Sequence, residues 1–588
     1  MEDEVFLFFL KLRPKEAKTM RMTCARIIME CLLEQGVDTV FGYPGGTILN
    51  VYDELELHGY KDKIRHILTA HEQGASHAAD GYARSTGKVG VCFSTSGPGA
   101  TNLTTGIATA YMDSSPVVFI TCNVSENLIG KDSFQEVDIT GITMPITKCN
   151  YLVHSPDELA DILREAFAIA RSGRPGPVLI DIPKNITAMT ADYEYLPADQ
   201  HPAHGRLAAM LRRASHDLKI PEPDAGDVEH LLDLIAKAQR PLILVGGGVI
   251  RSKGAVPEFR KFVETLRAPV ASTIMGGGAL PGDHPLFTGM IGMHGSHASN
   301  LASSACDLLI AIGCRFSDRV ATVPEAFAKQ ARIVQIDIDR SEIDKNVMTD
   351  HHIVGDARRV LQLLNEKLPP HDYPQWQAWV FSHEEVPLKK DDILHPHEIL
   401  ETIQAVTGGK AIIATDVGQH QMWSAQYYHF SRPGQFITSG GFGTMGFGVG
   451  AAMGAAMGNP DVPVVLATGD GGFRMNCNEL ATLEHYHIPV IVVIFNNHTL
   501  GMVRQWQHLI YNERYSQTDL DRGPDFVKLA EAYGIPGDRA ATQEEFEAVF
   551  RRAAKSGGPW VIECAIDKDA MVHPMVSAGT PVTDFLLD

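Results

Sequence analysis

Val464-Val465-Leu466-Ala467-Thr468-Gly469-Asp470-Gly471-Gly472 is an apolar run that ends in an acidic, glycine-rich turn. Val490 to Phe495 is a second apolar run, ending in Asn496-Asn497, which sets Asn497 27 residues past Asp470. Two short apolar runs at that separation fit parallel strands bridged by a helix. Both turns then lie at the carboxyl ends of neighbouring strands, where open α/β sheets bind ligands. A carboxylate and an amide oxygen are hard donors, suited to a magnesium ion that keeps waters and takes further oxygens from a bound phosphate. Gly469, Gly471 and Gly472 allow backbone to approach that phosphate. A helix beginning after Gly472 would aim its amino end at it.

The same rhythm runs outward along the chain. Val89 to Phe93, Val117 to Thr121, Val178 to Ile182, Pro241 to Val245, Leu308 to Ile312, Ile333 to Ile338 and Ile412 to Thr415 alternate with amphipathic stretches. The pattern predicts an α/β protein built of doubly wound parallel sheets. Two Pro-rich segments, 187–228 and 366–395, read as linkers, the first holding a basic helix-like stretch at Arg206 to Arg213. They divide the chain into domains at 22–186, 229–365 and 396–578. Residues 1–21 are expected to be a disordered extension, and 579–588 a tail.

The 588 residues carry 51 Lys and Arg against 71 Asp and Glu, a net charge of −20, which argues against nucleic acid or anionic membrane as a partner. No apolar run reaches the roughly 18 residues of a membrane span. Nine cysteines without a Cys-x-x-Cys pattern read as buried thiols in a reducing compartment, hence a cytoplasmic protein. Gly246-Gly247-Gly248 after the run ending at Val245 is only part of a dinucleotide fingerprint.

The Asp470–Asn497 arrangement resembles the metal-diphosphate signature of thiamine diphosphate (ThDP) enzymes. From about Met22 to Ala578 the chain is similar to acetolactate synthase (acetohydroxyacid synthase) catalytic subunits of the biosynthetic type. The likeness is carried by Gly42-Tyr43-Pro44-Gly45-Gly46, His71-Glu72-Gln73, Thr95 to Asn102, Phe134-Gln135-Glu136, Arg174 to Pro177, Gly292 to Gly295, Gly443-Thr444-Met445-Gly446 and, most specifically, Gly501-Met502-Val503-Arg504-Gln505-Trp506-Gln507.

That resemblance implies pyrimidine-binding, central FAD-binding and diphosphate-binding domains. It assigns Asp470, Asn497 and the Thr499 carbonyl to magnesium. ThDP contacts fall on Tyr43, Pro44, Gly45, Glu72, Pro98 and Asn102, then on Val417, Gly418, Gln419, His420, Gly443 and Met445. Others are Gly469, Gly471, Gly472, Leu500, Gly501 and Met502. Met445 would bend the cofactor, and Glu72 would share a proton with the pyrimidine ring. Gln135 and Lys184 join Glu72 and Met445 as catalytic candidates. Phe134, Gln135, Lys184, Met502, Val503 and Trp506 would form the substrate pocket, in which one methylene is worth about 1–3 kcal/mol of discrimination.

The implied FAD site comprises Arg174, Gly246, Gly247, Gly248, Thr273, Met290, Met293, His294, Gly295, Arg315, Asp318, Arg319, Asp337, Ile338 and Asp356. Ser317 and Met275-Gly276-Gly277-Gly278 depart from the family's usual residues there. The implied reaction is redox-neutral, so FAD would be structural. Pyruvate would lose CO₂ and its two-carbon unit would pass to a second pyruvate or to 2-oxobutanoate, opening valine, leucine and isoleucine synthesis. The resemblance also implies at least a homodimer whose active sites are shared between chains, and a small regulatory subunit. Three other readings remain at this point: a pyruvate oxidase or sulfoacetaldehyde acetyltransferase on the same fold, a non-catalytic scaffold, and a nicotinamide dehydrogenase.

Overall fold

A computed structural model describes residues 19–196, 220–383, 385–389 and 391–586. Its backbone forms three parallel six-stranded sheets. Their strands are the apolar runs of the sequence: every residue of Val117–Asn123, Val178–Pro183 and Val490–Asn496 is buried. Strands covered by helices on both faces need this continuous hydrophobicity.

The first sheet runs Arg65–Leu68, Thr39–Tyr43, Gly90–Ser94, Val117–Asn123, Val178–Pro183, Cys149–Leu152. The third runs Phe436–Ile437, Ile412–Thr415, Val464–Gly469, Val490–Asn496, Trp560–Ala565, Gly537–Ala540. Numbered within each sheet in chain order, both read 2-1-3-4-6-5. The central sheet, Phe287–Met290, Val270–Ser272, Pro241–Val245, Leu308–Ile312, Arg332–Asp337, His351–Val354, reads 3-2-1-4-5-6, the order of dinucleotide-binding folds. Each order reverses beside its first strand, so the fold offers a crevice at the carboxyl strand ends of each sheet.

The first and third domains pack directly. Helix Glu72–Thr86 lies on helix Gly448–Gly458 with backbones nearly touching: a Cβ on Gly454 would stand 1.8 Å from the Ala78 carbonyl oxygen, and one on Gly81 2.2 Å from that of Ala451. Ala75, Ala78, Tyr82, Val449, Ala452 and Met453 share one buried cluster across this contact.

Several sequence boundaries move. Met20–Thr23 pairs antiparallel with Thr190–Tyr193, so ordered structure begins before residue 22 and continues past 187. Strand pairing between segments 170 residues apart in the chain leaves no local signal at either end. The expected linker 366–395 contains helix Pro374–Val380, anchored by Trp376 Nε1 donating to the Pro241 carbonyl at 2.9 Å. Helix Ala225–Lys237 starts inside the other expected linker, and Phe585–Leu586 of the expected tail pairs with Met575–Val576. The readings of residues 1–18 and of Arg206 to Arg213 lie outside the described residues. All nine cysteines are free thiols, seven of them buried. Among the described residues no helix is long and apolar enough to cross a membrane.

Candidate active site

The crevice of the third sheet opens between Ile412–Thr415 and Val464–Gly469. Asp470 is buried there as the first residue of helix Asp470–Asn476, with Gly469 at its N-cap. The helix thus starts at the acidic residue itself rather than after Gly472. Gly469 pairs in register with Phe495, which brings Asn497 beside Asp470. Asn497 Oδ1 accepts from the Thr499 N–H at 3.3 Å, and its Nδ2 donates to Gln419 Oε1 at 3.3 Å. The Thr499 hydroxyl is committed to the Thr518 carbonyl at 2.9 Å, so the Thr499 carbonyl is the oxygen left for a metal.

These residues fit a magnesium diphosphate. Burial pushes the Asp470 carboxyl up to about 7, so its charged form needs a compensating partner in the crevice. His420 is buried, its Nε2 has no hydrogen-bond partner among the described residues, and burial lowers its pKa to about 3, so it offers a neutral ring nitrogen. A Cβ on Gly501 would lie 2.0 Å from Gln419 Oε1 and 2.7 Å from Asn497 Nδ2, so only glycine lets this backbone close on the site.

Met445 sits on a loop clamped from below. Asp416, directly after strand Ile412–Thr415, accepts from the N–H groups of Gly446 (3.0 and 3.1 Å), Gly448 (3.0 Å) and Val417 (2.8 Å). One buried carboxylate therefore fixes the Val417-Gly418 turn relative to the Met445 loop. Asp416 was not among the residues singled out from sequence. The signal that exposed Asp470, an Asp at the end of an apolar run, is present there too.

Glu72 opens helix Glu72–Thr86 in the first domain and accepts from Asn102 Nδ2 at 2.9 Å. Gly99 packs against it, since a Cβ there would be 3.2 Å from Glu72 Oε1. Tyr43 ends the first strand of this sheet, Pro44 and Gly45 follow it, and Pro98 opens a short helix after the third. Gln135 holds a left-handed backbone (φ 61°) against Gly97, and Phe134 is 87% exposed. Lys184 is exposed at the start of Lys184–Ala188. Within one chain the third-domain side chain that reaches the Glu72 turn is Glu479, not Asp470: its carboxylate accepts from the N–H groups of Ala70 and His71, each at 3.0 Å.

The third crevice leads into a cavity of about 1040 Å³. Val417, Gly418, Gly443, Met502 and Trp506 line one end, while Val503 is exposed beside it. Of the residues matched to flavin binding, Arg174, Gly247, Gly248, Thr273, Met290, Met293 and His294 line it, as do Arg315, Asp318, Arg319, Asp337, Ile338 and Asp356. Gly246 and Gly295 lie behind its wall: a Cβ on Gly246 would meet the Gly313 carbonyl oxygen at 2.1 Å, and the Gly295 N–H closes a turn onto Gly292. Arg174 is braced by Ser114, Asp339 and Glu342. Burial raises the Asp337 carboxyl to about 6, and His294 Nε2 is buried without a partner. Size, cationic lining and unsatisfied polar groups fit a dinucleotide.

Comparison with known proteins agrees with this geometry. Residues 22–142 match the N-terminal TPP binding domain of thiamine pyrophosphate enzymes, residues 228–364 the central domain and residues 416–564 the C-terminal TPP binding domain. A probable acetolactate synthase large subunit of Methanocaldococcus jannaschii is 45% identical over 581 residues, covering 96% of this chain and 95% of that one. The acetolactate synthase isozyme 2 large subunit of Escherichia coli is 42% identical over 572 residues, covering 96% and 99%. The acetolactate synthase of Mycobacterium bovis is 45% identical over 576 residues, covering 95% and 90%. With all three domains matched and relatives aligned across nearly the whole length, the chain belongs to the acetolactate synthase large-subunit family of thiamine pyrophosphate enzymes.

Proposed function

We propose that the chain is a catalytic subunit that decarboxylates pyruvate and joins the two-carbon unit to a second pyruvate or to 2-oxobutanoate, at the start of branched-chain amino-acid synthesis. The observation that carries this is the convergence of Asp470, Asn497 and Thr499 beside a Met445 loop locked by Asp416. When bound, ThDP supplies the electron sink for decarboxylation. Asp470, Asn497 and the Thr499 carbonyl would hold magnesium against its diphosphate, and Met445 would press the two rings toward each other. Glu72, oriented by Asn102, would hold a proton at the pyrimidine nitrogen. Gln135 and Lys184 would face the keto acid, with Trp506 and Met502 shaping the space for the second one.

In this reading the active site is completed by two chains. Among the described residues no hydrogen bond or ion pair joins Glu72 to Asp470 within one chain, while Tyr43, Phe134, Phe442 and Met475 expose apolar surface near the two half-sites. A homodimer that places Glu72 of one chain over Asp470 of its partner satisfies both facts. FAD is proposed as a structural occupant of the large cavity, and a small regulatory subunit as a further partner. The names of the M. jannaschii and E. coli relatives specify large subunits. A cytoplasmic location belongs to the same proposal.

Purified protein supplied with ThDP, magnesium and pyruvate should form acetolactate without consuming oxygen, and with added 2-oxobutanoate the corresponding mixed product. Stoichiometric oxygen uptake would mark an oxidase instead. Absence of any ThDP-dependent rise in melting temperature would favour a scaffold.

A further inference from the structure

One buried ion cluster in the first domain is absent from the roles given above. Arg84, in the last turn of helix Glu72–Thr86, binds both carboxylate oxygens of Asp80 at 2.7 Å each. Its Nη1 donates to Asp113 Oδ2 at 2.8 Å and to the Thr438 carbonyl at 2.7 Å. The Arg84, Asp80 and Asp113 side chains are 4%, 0% and 0% exposed. The guanidinium of Arg251, from the central domain, lies close enough to interact with all three. The third domain adds directed backbone donors: the Gly441 N–H donates to Asp113 Oδ1 at 2.7 Å and the Gly440 N–H to Oδ2 at 3.2 Å. Thr109, one turn before Asp113, joins its hydroxyl to that of Thr444 at 2.7 Å.

Every third-domain partner of this cluster lies on the loop that bears Gly443 and Met445. Asp416 and Asn476 hold the far end of that loop at Gly446, and Thr415 and Gln421 hold its start at Thr438 and Ser439, but between them Gly440, Gly441 and the Thr444 hydroxyl take their partners from the first domain of the same chain. Asp113, Gly440, Gly441 and Gly443 also form adjoining parts of the cavity wall. Packing alone would be served as well or better by apolar side chains, because three buried charges carry a large desolvation penalty. Directed hydrogen bonds to particular N–H groups specify where a loop sits.

We propose that Asp113, held in place by Arg84, is a positioning residue that sets the 438–445 loop, and through it Met445, for the diphosphate site of its own chain. This rests on the ThDP reading above. It gives the first domain two duties on different active sites: Glu72 serves the partner's, and Asp113 serves the site containing Asp470 of the same chain.

Mixed dimers separate these duties. Chains with different tags are co-expressed, purified through both tags and assayed with ThDP, magnesium and pyruvate. Pairing Asp113→Asn with Glu72→Gln leaves one site with both groups intact, so activity should return to about half that of wild type, well above either parent. Pairing Asp113→Asn with Asp470→Asn damages both sites and should give no recovery, and recovery there would overturn the proposal. Glu72→Gln paired with Asp470→Asn tests the shared site alone. If that pair recovers and the first does not, the Asp113 assignment falls while the shared site stands. If that pair fails to recover, the shared site falls, and Asp113 is judged by its homodimer. The Asp113→Asn homodimer should show a ThDP half-saturation, read without substrate from the cofactor-dependent rise in melting temperature, raised at least ~10-fold, with KM for pyruvate changed less than ~3-fold, a split expected of lost positioning. Wild-type ThDP saturation would overturn the proposal. Thr109→Val, which leaves the ion cluster intact, should shift ThDP saturation in the same direction by a smaller factor. An unshifted value in a folded Thr109→Val dimer also counts against it.

Discussion

The Glu479 carboxylate and the His71 backbone N–H are joined at 3.0 Å across the first and third domains, and the neighbouring Ala70 N–H binds the other oxygen at the same distance. Glu479 lies nine residues beyond Asp470, and His71 immediately precedes Glu72, so one side chain ties the turn that follows helix Asp470–Asn476 to the turn that presents Glu72. Thr482 Oγ1 donates to Glu479 at 2.7 Å, and a Cβ on Gly74 would come within 2.0 Å of Glu479 Oε1. The Glu479 carboxylate occupies the space a side chain at position 74 would need. Glu479→Gln would turn an amide N–H₂ toward a backbone donor. That should lower stability by about 1–3 kcal/mol, the cost of leaving buried polar groups unsatisfied. It should also lower kcat more than it raises ThDP half-saturation. Denaturant melts and cofactor titrations of the purified variant check both.

Asn102 restrains Glu72 at 2.9 Å. Glu72→Gln removes the group proposed to carry the proton and should reduce kcat by ~10²–10⁴-fold, the span of general acid–base catalysis. Asn102→Ala leaves the acid present but free to turn, so its loss should be smaller, about tenfold. Exchange of the thiazolium C2 proton with D₂O, followed by NMR on quenched samples, reads this step without turnover. Equal exchange in wild type and Glu72→Gln would remove Glu72 from the role.

For Asp470, the expected outcome is a loss of linkage between cofactor and stability. Ligand at 100 times its Kd stabilises a native protein by about 2.7 kcal/mol. Wild type should therefore melt higher with ThDP plus magnesium and fall back when EDTA is added. Asp470→Asn keeps the shape but removes the charge, and should show neither the rise nor the EDTA effect. If the variant still gains thermal stability from both additives, the metal lies elsewhere.

Asp470 and Asn497 were legible because their signal is local: two apolar runs, each closed by an oxygen-bearing turn. The central-domain residues proposed to hold a flavin rest on family likeness. Most reach one cavity, yet Gly246 and Gly295 serve its backbone walls, a distinction no residue type announces. Asp416 and Glu479 stayed hidden for another reason. Each acts on backbone N–H groups that arrive from elsewhere, 30 residues on for Gly446 and 408 residues back for His71. Backbone donors carry no residue identity, so such clamps become visible only when the chain is folded. The strand Met20–Thr23 was missed likewise, since only its partner Thr190–Tyr193 makes it a strand.

Asp181 gives a prediction in pH. It is buried at the carboxyl end of Val178–Pro183 and accepts from Thr121 Oγ1 and Asn123 Nδ2 at 2.7 Å each. Burial, aided by Asp138, pushes its carboxyl up to about 6. An exposed aspartate titrates near ~3.9. The native state therefore holds this proton more tightly than the unfolded chain does. The resulting stability is fully present below about pH 4 and is lost as pH rises through about 6. A difference of about two pKa units corresponds to roughly 3 kcal/mol. Asp181→Asn has nothing to titrate in that window, so the variant should gain on wild type by up to that amount between pH 4 and pH 7. Its absolute stability is lowered throughout by the one acceptor it lacks. Asn123 Nδ2 also reaches the Val137 carbonyl at 3.4 Å, two residues past Gln135, so a small change in KM for pyruvate should accompany the substitution. Urea midpoints of both proteins at pH 4, 5, 6 and 7 decide the matter: a stability difference that stays constant with pH would show that Asp181 keeps its charge in the native state.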